Sequence, residues 1–350
     1  MKVFVVIPSK YTLYLDEELT LVKTVYSDVV GYEVVRSTNA KTYISATKLE
    51  KLKGVGFDKL VVMDKLKPTQ LINLVRELKR DVVDRILLIL EIFASHAGSR
   101  EALLQIELAR LKYTLPLIKE AIRYAKLGEL HGFLGAGRYG YEKYYTMLKK
   151  REARVRRELE RLRGIRAARR KARIEAGFPH VAIVGYTCAG KTSLFNVLTN
   201  LSKPTGPEPF TTLSPKSCRV KHGDLDFIVT DTVGFIRDIP PEVVESFYAT
   251  LEEIAEADVI VNVVDASKKI NEIIGEIETS REILRKIGAL NKPVVYALNK
   301  IDKLNSPLDN ILREVAKHVE NANDIVPISC TKKINIDTLL TKIREKLVGE

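Results

Sequence analysis

One stretch of this chain combines residue types that handle phosphate. Gly185-Tyr186-Thr187-Cys188-Ala189-Gly190-Lys191-Thr192 reads G-x-x-x-x-G-K-[ST]. Glycines let backbone N–H groups curl around phosphate oxygens, and a helix starting at the second glycine adds positive potential. Lys191 then reaches the β- and γ-phosphates, the Thr192 hydroxyl is a ligand for Mg²⁺, and Ser193 opens the helix behind them. A second element follows at the spacing expected of a P-loop domain. Asp231-Thr232-Val233-Gly234 begins 46 residues after Gly185, behind the apolar Phe227-Ile228. Asp231, ending a strand, can hold the metal through a water, and the Gly234 N–H can meet a γ-phosphate. Between the two lies Ser202–Pro215, rich in Pro and Gly, where Phe210-Thr211-Thr212-Leu213 can present Thr212 to the metal. The predicted catalytic set is Lys191, Thr212 and Gly234; the predicted metal ligands are Thr192, Thr212 and Asp231.

The third element selects the base. Val294–Leu298 reads as a buried strand ending in Asn299-Lys300-Ile301-Asp302. An ionised Asp302 accepts hydrogen bonds from both N1–H and the 2-amino group of guanine. Adenine offers neither donor and would leave a desolvated carboxylate, so discrimination against it is large. Asn299 contacts the other side of the base and braces the P-loop, and the Lys300 stem stacks over the ring. After the short strand Ile325–Ile328, Ser329 and Cys330 are expected to offer backbone N–H groups to the guanine oxygen. GTP or GDP with Mg²⁺ are the expected ligands. Phe235 stands directly after the D-x-x-G, where many related GTPases carry a water-orienting Gln. Its ring can neither donate nor accept, so the isolated protein is expected to hydrolyse GTP slowly.

These residues need elements to position them. His180–Val184 before the P-loop reads as a buried strand, and residues 177–350 as an α/β domain with a mostly parallel sheet and flanking helices. Gly177-Phe178-Pro179 marks its start. In residues 1–98, Val3–Ile7, Tyr32–Arg36, Lys59–Met63 and Ile86–Leu90 read as strands, with helical patterns at Asp16–Tyr26 and Pro68–Leu78, so a small α/β domain is expected. Residues 99–176 differ. Leu104, Leu108, Leu111, Leu115, Ile118, Ile122 and Ala125 form a heptad seam, interrupted by Pro116. A glycine-rich stretch precedes a basic helix with Leu148, Val155, Leu159 and Leu162 on one stripe, which predicts an antiparallel helical hairpin.

Charge is concentrated in that hairpin. The net charge is +12, and Lys143–Arg173 holds fourteen Lys or Arg against three Glu, eleven of the twelve excess charges. A stripe of this density suits a nucleic-acid backbone, with Arg154, Arg157, Arg161, Arg166 and Arg170 as candidate contacts. The longest apolar runs are too short to span a bilayer. Three cysteines without paired spacing fit a reducing cytoplasm. A monomer is expected.

The three nucleotide motifs resemble those of the translation-factor-related GTPases. Outside them, Asp84-Arg85, Leu88–Phe93 and Gln105–Tyr113 are similar to the HflX family signature, as are Asp231–Ile236 and, more loosely, Gly137–Glu142. The resemblance covers about residues 40–350. It implies a GTPase that binds the large ribosomal subunit, with a helical domain reaching into rRNA, acting in translation, ribosome rescue or splitting, or ribosome biogenesis. A nucleotide-driven enzyme that remodels rRNA is the alternative. Two residues depart from the family pattern. Ser214 replaces a usual Asp, and Cys188 stands where the family usually has an Asn that helps hold potassium.

Overall fold

The computed structural model describes the whole chain apart from residues 127–137, 176, 202–215, 239–242, 244–247, 305 and 350. The fold is α/β, with a P-loop GTPase sheet, and it divides into two compact units. The first is built mainly from Met1–Ser95 and Leu103–Leu162, the second mainly from His96–Ala102, Arg163–Ile239 and Phe247–Glu350.

In the first unit, β1 (Lys2–Pro8), β2 (Asp28–Val35), β3 (Lys59–Val62) and β4 (Asp81–Asp84) form a sheet in the order β2-β1-β3-β4, every pair parallel. Parallel neighbours need crossovers. These are supplied by α1 (Leu15–Val25), α2 (Ala46–Lys53) and α3 (Pro68–Leu78). Val6, Leu60, Val62 and Leu74 are buried in one shared core cluster.

Ile86–Leu90 is not a strand. It lies in α4 (Arg85–His96), and the strand is the four residues before it. The reason is local. The Asp84 carboxylate accepts from the Leu87 N–H at 3.0 Å, capping the new helix, and from the Leu66 N–H at 3.1 Å. A helix buried on nearly all sides reads as an apolar run in sequence, without the stripe that marks a surface helix. Ile86, Leu88, Ile89, Leu90, Ile92 and Phe93 are all buried. Burial pushes the Asp84 carboxyl up to about 6, although the same carboxylate also accepts from the Tyr113 hydroxyl. That hydroxyl ties the long helix α5 (Arg100–Lys126) to the end of β4.

The heptad seam pairs α5 with α6 (Arg138–Glu175). Leu111, Leu115 and Ile118 bury against Leu148 and Val155. Pro116 sits inside α5 without ending it. Arg151 donates to Glu107 across the pair, at 3.0 Å for its second bond. Arg154, Arg157 and Arg161 are exposed on α6. Arg170 lies where side chains are outside the described residues.

The second unit carries the larger sheet. Its strands are β5 (His180–Gly185), β6 (Lys216–His222), β7 (Leu225–Asp231), β8 (Val259–Asp265), β9 (Val294–Asn299) and β10 (Ile325–Pro327), in the order β10-β9-β8-β5-β7-β6. Only β6 runs antiparallel, beside β7. The helices are α7 (Lys191–Thr199), α8 (Tyr248–Ala255), α9 (Ile270–Lys286), α10 (Leu308–Ala316) and α11 (Ile336–Val348). Every residue of β5 and β8 is buried, as expected for central parallel strands covered on both faces. The chain passes from β5 to one side, through β7, and then to the other, through β8. The carboxyl ends of β5 and β8 therefore flank a topological switch point, where open α/β sheets bind ligands. Among the described residues no helix is long and apolar enough to cross a membrane.

Candidate functional site

The carboxyl edge of the larger sheet gathers the motif residues. Gly185 ends β5, Asp231 ends β7 and Asn299 ends β9. Between β5 and α7 the chain makes the tight loop that the glycines predict. Gly190 has φ of +101°, and a Cβ there would meet Asn299 Nδ2 at 2.2 Å, so only glycine fits. Cys188 also takes a left-handed φ, +62°.

Lys191 is buried and donates through Nζ to the Tyr186 carbonyl at 2.7 Å. Burial pushes its ammonium down to about 8, against the pull of Asp231. The Thr192 hydroxyl donates to Asp231 Oδ2 at 3.1 Å, and both residues are buried. Two oxygen-bearing side chains from the P-loop and from β7 thus share one point. Ser193 follows, half-buried in the first turn of α7.

The D-x-x-G segment lies on the P-loop. Phe235 N–H donates to the Gly185 carbonyl at 2.9 Å, and the Thr187 N–H donates to the Phe235 carbonyl at 2.8 Å. The Arg237 N–H donates to the Tyr186 hydroxyl at 3.0 Å. A Cβ at Gly234 would meet Thr187 Cγ2 at 2.9 Å and Lys191 Nζ at 3.0 Å. Gly234 is therefore the point of closest approach. The Phe235 ring is buried.

The base-reading motif is fastened to the same loop. Asn299 Nδ2 donates to the Ala189 carbonyl at 2.9 Å, and its Oδ1 accepts from the Cys330 N–H at 3.1 Å. One buried amide thus joins the P-loop, β9 and the Ser329-Cys330 loop. Lys300, at φ +67°, donates to the Cys188 carbonyl at 2.9 Å and to Asp265 Oδ2 at 2.5 Å. Asp302 Oδ1 accepts from the Ser329 hydroxyl at 2.5 Å, and that bond holds its carboxyl below the usual range, in the ionised form. Burial pushes the Cys330 thiol up to about 12 and the Cys188 thiol upward as well, so both are neutral thiols.

The structure thus brings together Gly185 to Ser193, Asp231, Gly234, Asn299, Lys300, Asp302, Ser329 and Cys330. Phe210, Thr211 and Thr212 lie outside the described residues. Sequence reading missed Asp265, which fixes the Lys300 ammonium. Its signal is an apolar strand, Val259–Val264, interrupted by Asn262 and ending in one carboxylate.

Comparison with known proteins covers the whole chain. Residues 180–300 match a profile described as 50S ribosome-binding GTPase, residues 96–173 one described as GTP-binding GTPase middle region, and residues 13–94 its N-terminal counterpart. The GTPase HflX of Hyperthermus butylicus is 43% identical over 342 residues, covering 93% of this chain and 91% of the relative. That of Saccharolobus solfataricus is 41% identical, covering 94% of each. A crystal structure of a GTP-binding protein from Sulfolobus solfataricus in complex with GDP aligns with a TM-score of 0.53 at 36% identity, over 100% of this chain and 99% of the other.

Proposed function

Because the chain belongs to the HflX family of GTPases, which bind guanine nucleotide and hydrolyse GTP, we propose that residues 185–193, 231–234, 299–302 and 329–330 are its nucleotide site and that its basic hairpin carries it to rRNA of the large ribosomal subunit. The observation that carries the site reading is Asn299, whose two buried hydrogen bonds join the phosphate loop to the base-reading loop.

In this reading the work divides among 1–98, 99–176 and 177–350, with the nucleotide held by the last. The backbone of 185–192 and the Lys191 ammonium bind the phosphates. Ionised Asp302 reads guanine N1–H and the 2-amino group with its two oxygens, and the Ser329 hydroxyl donates to the remaining lone pair of Oδ1. Thr192 and Asp231 are hard oxygen donors 3.1 Å apart, a set that fits a hard divalent ion. With Thr212 they would hold Mg²⁺, Asp231 through water, and the ion would neutralise phosphate charge. Gly234 lies against Lys191, so a γ-phosphate arriving at that ammonium displaces the D-x-x-G segment. That displacement distinguishes the GTP from the GDP form. The partner follows from the charge of α6 and from the profile described as 50S ribosome-binding GTPase.

Asp302→Asn tests the site. An amide cannot accept both guanine donors, so GDP affinity should fall and xanthosine diphosphate, whose C2 oxygen accepts from the new amide, should become the preferred ligand. Wild-type protein that binds ATP as tightly as GTP, or a variant with unchanged preference, contradicts the assignment.

A further inference from the structure

A glycine stands inside α9, at position 275, where alanine would favour the helix. The reason is a close approach from another element. A Cβ at Gly275 would meet Arg237 Nη2 at 3.2 Å and Nη1 at 3.5 Å, so the bare backbone is the seat of that guanidinium. Arg237 stands three residues after Gly234, and its own N–H donates to the Tyr186 hydroxyl at 3.0 Å. The end of the D-x-x-G segment thus makes two contacts beyond its backbone bridge to Gly185 and Thr187. One is to a P-loop side chain and the other is to α9.

Tyr186 is itself held on several sides. Its side chain is buried, and Lys268 Nζ lies 5.5 Å from the centre of its ring. The same ammonium pairs with Glu276, buried on α9 beside Gly275. The Tyr186 carbonyl accepts from Lys191 Nζ at 2.7 Å. One residue therefore meets the phosphate-binding ammonium through its backbone and the D-x-x-G segment through its hydroxyl. All of these residues lie in the second compact unit. We propose that Tyr186 is a positioning residue for the D-x-x-G segment: its hydroxyl, with the Gly275 seat, holds the segment in the P-loop-bridged form and so lowers the affinity for GTP relative to GDP. This rests on the reading that a γ-phosphate displaces Gly234. Displacement takes the Arg237 N–H off the hydroxyl, whereas GDP, which lacks that phosphate, leaves the bond in place.

Tyr186→Phe removes the hydroxyl and keeps the ring beside Lys268. Affinities for GDP and for a non-hydrolysable GTP analogue are measured on the full chain, for wild type and variant. The preference for the analogue over GDP should rise about two- to tenfold, the net worth of one neutral hydrogen bond. Hydrogen exchange of residues 231–238 adds a readout that a merely structural role would not give. With GDP bound, exchange should be faster in the variant than in wild type. With the analogue bound, the two should match, because the bond is open in both. Gly275→Leu leaves the P-loop untouched and fills the Arg237 seat, so it should shift the preference in the same direction, and it carries the test should Tyr186→Phe fail to fold. An unchanged preference in either folded variant, or faster exchange of the Phe variant with both nucleotides, overturns the proposal. Two wild-type results would instead overturn the readings beneath it: equal exchange of 231–238 in GDP and in the analogue removes the displacement, and loss of guanine preference removes the site.

Discussion

Replacing Asn299 by alanine removes one side chain from three elements at once. The amide is buried, so its partners cannot turn to water. Truncation strands the Ala189 carbonyl, now accepting at 2.9 Å, and the Cys330 N–H, now donating at 3.1 Å. Each orphaned buried group costs about 1–3 kcal/mol, so a stability loss of about 2–6 kcal/mol is expected. Asn299→Asp is more telling because it keeps the shape. One carboxylate oxygen can still accept from Cys330, but the other faces the Ala189 carbonyl, acceptor against acceptor. The Asp variant should therefore be no more stable than the Ala variant at neutral pH, and should recover as pH falls and the new carboxyl is protonated. Urea unfolding at pH 7.5 and pH 5, together with GDP titration, measures both effects. If the brace shapes the phosphate loop, about 1–3 kcal/mol of the loss reappears in binding, a roughly 5- to 150-fold weaker GDP affinity. Wild-type stability and GDP affinity in the alanine variant would refute the brace. So would an aspartate variant as stable as wild type at neutral pH.

Two further outcomes follow from the same loop. Folding lowers the Lys191 ammonium from 10.5 to about 8, so between those values the unfolded chain holds a proton that the folded chain lacks; stability gains with rising pH there, and nucleotide binding, which needs the ammonium, takes up a proton and weakens. Calorimetry of GDP binding at pH 7 and 9, in buffers of different ionisation enthalpy, should show proton uptake only at pH 9, and Lys191→Met should abolish it. Cys188 holds a left-handed φ of +62°, a region in which Asn is enriched, so Cys188→Asn should stabilise the protein by about 0.5–1 kcal/mol in urea titration. A thiol is a poor ligand for a hard cation, so wild type should hydrolyse GTP at similar rates in potassium and sodium, and the Asn variant should gain potassium dependence.

The candidate site is legible because its motifs are local. Gly190, Lys191, Thr192, Asp231, Gly234, Asn299 and Asp302 lie in short strings whose order follows the strand ends of one sheet, and the structure brings them to one edge. What a string cannot carry is the partner across the fold. Lys300 reads as a ring-stacking stem, yet its ammonium is fixed by Asp265, 35 residues away. Arg166 sits in a run of arginines that looks uniform, and only packing separates it: it pairs with Glu101 and Glu252, whereas Arg161 is exposed and pairs with Glu158 on its own helix. The first unit was harder to read. Its strands β3 and β4 have only four residues, as short as a turn of buried helix, so the apolar run after Asp84 fits either period. The Asp84 cap decides between them, a tertiary bond from a side chain also held by Leu66 and Tyr113. α2 is faint in the sequence for the opposite reason. Ala46–Lys53 carries only Leu49 and Leu52 as buried residues, too few to show a stripe, and its start is marked by Ser45 accepting from the Lys48 N–H.

The central claim is a guanine-nucleotide switch that reaches the large ribosomal subunit through its basic hairpin. Co-sedimentation of the full chain with purified large subunits, in a GTP analogue and in GDP, tests it most directly. The account predicts binding with the analogue and release with GDP. It predicts a steep fall with salt through counterion release, and loss of binding in the Arg154→Glu, Arg157→Glu, Arg161→Glu variant with GDP affinity unchanged. Equal binding in both nucleotides, or full binding by the triple variant, would contradict it.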